Sequence, residues 1–260
     1  MRNIKLTLEY DGTNYSGWQK QAKQNIRTLQ GEIELALGTL LGEPIKVNSA
    51  GRTDAGVHAF GQVINFKTAS DMPIRRIPYS LNAILPDDIV AKDAEEVSDR
   101  FDARKDAKWR EYHYYILNRF YRSVFAGRFV HHEARPLDVE AMDKAVSFLK
   151  GRHDFTSFYT MPHRAEDVVG SPVRTILEIS CKRSKDIVWA GEPVDGLITI
   201  RVRAHAFLHN MVRIIAGTVI DVGLGMLGPE DMRTILEARD RKKAGATAPA
   251  KGLTLVKVHY

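Results

Sequence analysis

The chain has 260 residues, 44% of them hydrophobic, enough for one large core or two modest ones, because domains of about 100 to 150 residues are commonest. Lys plus Arg number 38 against 32 Asp plus Glu, a formal charge of +6 that suits a polyanionic partner without requiring one. The one cysteine, Cys181, excludes an intramolecular disulfide, charges at Arg2, Lys5 and Glu9 interrupt any apolar leader, and the apolar run 211–228 carries Arg213 and Asp221, so a soluble, cytoplasmic protein with no membrane span is expected.

Segment 4–10 alternates apolar and polar residues, the period-two pattern of a half-buried strand, and Asp11-Gly12 turns the chain. Thr28 is placed to cap a helix whose apolar positions are Leu29, Ile33, Ala36, Leu37 and Leu40, and Gly42 stops it. Strands are expected over 45–49 and 63–66, a weaker helix over 73–81 and a short strand over 89–91. Segment 98–108 is basic and aperiodic, so it reads as a link between two halves, 1–105 and 106–260.

The second half restarts with an alternating strand over 110–117, then a helix capped by Asp138 with stripe Val139, Met142, Ala145, Val146 and Leu149. Strands follow over 175–182 and 197–202, a broad apolar helical stripe runs from Phe207 to Val222, a short helix holds Met232, Ile235 and Leu236, and 256–260 adds a last strand. Strands and helices mix without regular βαβ alternation, which predicts an α+β protein with helices covering largely antiparallel sheet.

The most unusual segment is SAGRTDAGVHAFGQV, residues 49–63, a connection between two strands containing Gly51, Gly56 and Gly61. Glycines allow tight backbone, so Asp54 is a candidate functional carboxylate held at a strand end, with Arg52 placed to pair with it or to reach a phosphate or base. On spacing alone, a plain connecting loop is the simpler account. Gly51 and Gly56 have the spacing of a phosphate-binding loop, but Val57-His58 stands where Lys-Ser/Thr is needed.

That string resembles the signature of the tRNA pseudouridine synthase A family, and ordered blocks extend the resemblance from residue 4 to residue 260. They are EYDGTNYSGWQ from Glu9, SLNAILPDDI from Ser80, RFDAR from Arg100 with YHY from Tyr112, HDFTSF from His153, AFLHNMVR from Ala206 and APAKGLTL from Ala248. Asp102 and Lys105 depart from the pattern, which more often has a histidine and an aromatic residue there. The resemblance implies the pseudouridine synthase fold, two similar α/β half-domains with largely antiparallel sheets joined across a central active-site cleft. It implies isomerisation of uridine to pseudouridine in the anticodon stem-loop of tRNA, at tRNA positions 38 to 40, by a homodimer needing no metal or small-molecule cofactor.

Residue by residue, the resemblance makes Asp54 the catalytic nucleophile or proton abstractor and Arg52 the side chain that fills the space left by the flipped uridine. It makes Tyr112 the aromatic partner of the uracil, Arg213 the partner of the catalytic carboxylate and Leu253 an apolar wall of the pocket. Without it, Tyr112 reads as strand packing, Arg213 as a solvated helix residue and Leu253 as core. His205 and His209 have a zinc-compatible spacing but no third ligand, so structural histidines are expected. The basic stretches at 75–76, 100–110, 152, 182–185 and 239–243 read mostly as solvated surface, some of it available to a tRNA backbone. Two further accounts are a non-catalytic RNA-binding module and a metal-dependent hydrolase built on Asp54, His58 and the His205/His209 pair.

Overall fold

The alternation at the N-terminus becomes strand β1, Arg2–Tyr10, in a computed structural model that describes residues 1–21, 26–161 and 170–260. Ile4, Leu6, Leu8 and Tyr10 point into a core, while Lys5, Thr7 and Glu9 lie on the opposite face. Helix α1, Leu29–Leu41, starts where expected because the Thr28 hydroxyl accepts from the Gly31 N–H, and it ends on Gly42 in the left-handed conformation. It buries Leu29, Ile33 and Leu37, each contributing about 1.5–3 kcal/mol on full burial. Then come β2, Asn48–Ser49, β3, His58–Thr68, α2, Arg76–Asn82, and β4, Ile89–Val97. β1 pairs antiparallel with β3 on one side and β4 on the other.

Pairing with the full length of β1 explains why two strands outgrow their expected bounds. β3 pairs with it from Arg2↔Thr68 to Tyr10↔Ala59, with one register shift between Leu8 and Tyr10, and β4 from Asn3↔Val97 to Tyr10↔Ile89, with one between Thr7 and Leu8. The strand expected over 45–49 shrinks to two residues, since the Val47 N–H is taken by the Glu34 side chain at 3.2 Å and leaves the ladder.

The second unit contains β5, Trp109–Asn118, β6, His131–Glu133, α3, Val139–Ser147, β7, Gly151–Asp154, β8, Val173–Arg183, a ribbon of β9, Val188–Trp189, and β10, Glu192–Pro193, then β11, Leu197–Ala204, α4, Met211–Gly223, and α5, Asp231–Ala238. Its strands follow the order β5-β11-β8-β7, each antiparallel to the next, and β6 pairs parallel with the end of β5. The Asp138 side chain caps α3 by accepting from Ala141 N–H at 2.9 Å. The stripe read from Phe207 enters its helix late: Asn210 is left-handed at φ 61°, so Phe207 and Leu208 precede α4.

The final strand, β12, Leu253–His259, pairs parallel with β3 through Thr254↔His58 and Leu255↔Ala59. The compact units are therefore Met1–Lys108 with Thr254–Tyr260, and Trp109–Leu253, where the sequence reading divides the chain at 105/106 and leaves the last strand in the second half.

Segment 98–108 differs from a free link as well. The buried Asn3 side chain donates to the Ser98 and Phe101 carbonyls at 2.8 and 3.0 Å, the Asn65 side-chain Oδ1 accepts from Ala103 N–H at 2.9 Å, and Tyr260 hydroxyl donates to the Ala103 carbonyl at 2.8 Å. Asp102 in turn accepts from the Arg104 and Lys105 N–H groups at 2.9 Å, so the residue that departs from the family pattern caps a turn.

Candidate active site

Asp54 stands on the irregular connection between β2 and β3, and the backbone around it is fixed from outside the loop. The Trp18 N–H donates to the Thr53 carbonyl at 2.9 Å, the Tyr10 hydroxyl and the Thr53 Oγ1 share a buried bond of 2.8 Å, and the Gln62 amide donates to the Gly51 carbonyl at 2.7 Å. The Asp54 carbonyl itself accepts from Val57 N–H at 3.1 Å and closes a turn. Gly17 lets the 11–18 segment approach: its φ is +88°, and a Cβ there would sit 3.0 Å from the Thr53 carbonyl oxygen. Thr53 and Val57 are buried, Asp54 is half-buried and Arg52 is exposed. The outcome is a half-buried carboxylate on a braced backbone, two residues after an arginine that reaches solvent. Burial pushes the Tyr10 phenol up to about 12, so it stays a neutral donor or acceptor for Thr53.

In the second unit Tyr112 is buried on β5 and meets the ring of Phe207 edge-on at 5.0 Å. Two residues along the same face, the Tyr114 hydroxyl donates to the Pro249 carbonyl at 2.9 Å, and burial raises its phenol well above the usual tyrosine range. Arg213 lies in the first turn of α4. Its Nε donates to the Ala248 carbonyl at 2.9 Å and its Nη1 to the Asn210 side chain at 2.9 Å, so this side chain is anchored and half-buried where helical periodicity alone expects a solvated one. Leu253 is buried at the start of β12. Segment 248–253 thus connects Arg213, through Ala248 and Pro249, with the strand that carries Tyr112, and it ends on Leu253.

The braces Tyr10, Trp18, Gln62, Phe207 and Asn210 were not legible as functional from spacing. Tyr10 and Phe207 read as core, and only their position in the blocks EYDGTNYSGWQ and AFLHNMVR singles them out.

His58 is buried, and its Nδ1 accepts from the Gly12 N–H at 3.1 Å, while the His209 Nδ1 lies 2.9 Å from the Thr160 carbonyl. Both histidines thus engage the backbone. Among the described residues no group of three or more His, Cys, Asp or Glu side chains gathers as a metal site. No helix among them is long and apolar enough to cross a membrane.

Comparison with known proteins gives the family. A family model described as tRNA pseudouridine synthase matches residues 7–104 and 145–260, and the chain belongs to that family of isomerases. Its relatives include proteins named tRNA pseudouridine synthase A from Brevibacillus brevis, 47% identical, and from Acetivibrio thermocellus, 44% identical, each aligned over the whole of both chains. A third, from Caldicellulosiruptor saccharolyticus, is 45% identical over the same full span. The α+β architecture with largely antiparallel sheets agrees with the fold the family implies.

Proposed function

We propose that this chain converts uridine to pseudouridine in the anticodon stem-loop of tRNA, that Asp54 is the catalytic carboxylate, and that it works as a homodimer in the cytoplasm. The observation that carries the reading is the braced Arg52-Thr53-Asp54 backbone, because a protein that only binds RNA uses basic and aromatic groups and gains nothing from a carboxylate held rigidly at its surface.

The reaction is an isomerisation. The bond from uracil N1 to ribose C1′ breaks, the base turns, C1′ joins C5, the C5 proton leaves and N1 takes up a proton, so no redox group or energy donor enters the balance. Asp54 acts at the ribose, either on C1′ as nucleophile or on a ribose proton. Arg52, exposed two residues before it, takes the place of the uridine that leaves the stack. Tyr112, held by Phe207, presents an aromatic ring to the uracil and a hydroxyl that relays the C5 proton. Leu253 supplies an apolar wall, and Arg213, already oriented by Asn210 and Ala248, supplies the cation assigned to the catalytic carboxylate.

Release of tritium from tRNA labelled at uracil C5 tests the reading, with wild type compared with Asp54→Asn in the absence of added metal or nucleotide. Wild type releases label, and the variant binds tRNA without releasing it. If both bind and neither releases label, an RNA-binding module is the better account; full activity in the variant would remove Asp54 from the mechanism.

A further inference from the structure

The basic run at 239–243 is a part of the sequence that the function leaves unexplained, and its four cations, Arg239, Arg241, Lys242 and Lys243, behave differently. Lys242 and Lys243 are exposed, but Arg241 is half-buried and turned toward its own chain. Its Nη1 donates to the Ala244 and Gly245 carbonyls at 3.2 and 3.0 Å, and its Nη2 to the Thr247 Oγ1 at 3.2 Å. One guanidinium therefore spans the loop 244–247, and a planar fork is the group suited to holding three acceptors at once.

The far side of that loop rests on α4. The Gly245 N–H donates to the Thr218 Oγ1 at 2.9 Å, and the Ala248 N–H donates to the Arg213 carbonyl at 3.1 Å. Contact is close because position 217 is glycine: a Cβ there would come within 1.8 Å of the Ala246 carbonyl oxygen. The next carbonyl acceptor along this braced loop, that of Ala248, is the one that receives the Arg213 Nε at 2.9 Å. Arg241, loop and Arg213 thus form one chain of contacts within the second unit.

We propose that Arg241 is a positioning residue for Arg213, stiffening the loop 244–248 so that the Ala248 carbonyl fixes the direction of the Arg213 side chain. This rests on the reading that Arg213 serves the reaction. Arg241 is then set apart from the tRNA backbone, in contrast to the exposed lysines that follow it. A looser Ala248 carbonyl leaves the charge on Arg213 intact and spreads its direction, so the chemical step slows while tRNA binding does not change.

The test is single-turnover tritium release and filter binding of tRNA, measured side by side for wild type, Arg241→Ala, Arg241→Lys and Thr247→Val. Arg241→Ala is expected to slow the chemical step by roughly 10- to 100-fold with the Kd for tRNA and its salt dependence unchanged. Arg241→Lys keeps the charge and loses the fork, so it falls between the two, and Thr247→Val, which removes one acceptor, gives a smaller loss of the same kind. In an Arg213→Lys background, Arg241→Ala adds little, because both act through one group. Should Arg241→Ala fail to fold, the Lys and Val variants carry the same test. An unchanged rate in folded variants overturns the proposal, as does weaker tRNA binding with a shallower salt slope that Arg241→Lys restores, which marks a phosphate contact. Asp54→Asn is run alongside: if that variant is active, it is the catalytic reading that has failed, whatever Arg241 does.

Discussion

In the first unit Asp54 occupies a loop with almost no regular pairing of its own, and its position is imposed by Tyr10 on β1, by Trp18 from the preceding turn and by Gln62 on β3. In the second, Tyr112 takes its place from the ladder of β5 itself, paired residue by residue with β11, while Arg213 gets its backbone from α4 and its side-chain direction from a loop. The strands of both units are arranged alike, each set around a strand flanked antiparallel on both sides, β1 by β3 and β4 and β11 by β5 and β8. The difference shows where geometry is vulnerable. A residue carried by a ladder moves only if the sheet fails, whereas a residue carried by braces moves when one brace is cut.

The largest effect on that comparison is expected from removing the proposed catalytic carboxylate, Asp54→Asn, which should lower the rate by roughly 10^4-fold while leaving stability and tRNA binding near wild type. Next comes Gly17→Ala. Its φ of +88° costs an L residue about 1–2 kcal/mol, and the new Cβ presses on the Thr53 carbonyl, so the Asp54 backbone must shift. A drop in kcat of roughly 10- to 100-fold with the tRNA Kd unchanged is expected; a variant that loses stability but keeps its kcat would show that the brace serves folding alone.

Tyr10→Phe cuts a second brace and carries a pH signature. The phenol stands at about 12 in the folded protein against 10.0 as the ordinary value, so from pH 10 to 12 the unfolded chain releases a proton that the folded one retains. Unfolded chain binds fewer protons there, and stability must fall as pH rises, by up to about 3 kcal/mol across that window. Below pH 10 the variant should be less stable than wild type by about 1–3 kcal/mol, because the buried Thr53 hydroxyl loses its partner. Urea melts should show this gap narrowing from pH 10 to 12; a constant gap would mean that the phenol titrates as freely in the fold as outside it.

Local chemistry made much of the fold readable. The caps at Thr28 and Asp138, the stop at Gly42 and the alternation of β1 and β5 are decided by neighbours in sequence, and each stands where the pattern puts it. What was not readable depends on partners far along the chain. Asn3 and Asn65 look like ordinary polar strand residues until Phe101 and Ala103 arrive to use them, and segment 98–108 looks like a link until they do. Arg213 faces away from its apolar stripe, which is the signature of a solvated side chain, yet its acceptor lies 35 residues on at Ala248. The Asp54 loop is conspicuous through its glycines, but its braces are not, since a tyrosine, a tryptophan and a glutamine have no distinctive spacing.

The smallest expected effect belongs to the ladder-borne second unit. Tyr114→Phe removes the hydroxyl that donates to the Pro249 carbonyl at 2.9 Å and leaves ring, strand and register unchanged. Losing one buried neutral hydrogen bond costs about 1 kcal/mol, more if the carbonyl stays dry, which corresponds to a melting temperature lower by roughly 2–4 °C in a protein of this size. Since β5 keeps Tyr112 in place through its pairing with β11, the tritium-release rate should stay within about threefold of wild type, a change of under 1 kcal/mol in the barrier. A larger loss of rate with the melting temperature preserved would reverse the comparison: the 248–253 segment, rather than the strand, would then be what fixes Tyr112, and Tyr114 would join Arg241 among the residues proposed to act through it.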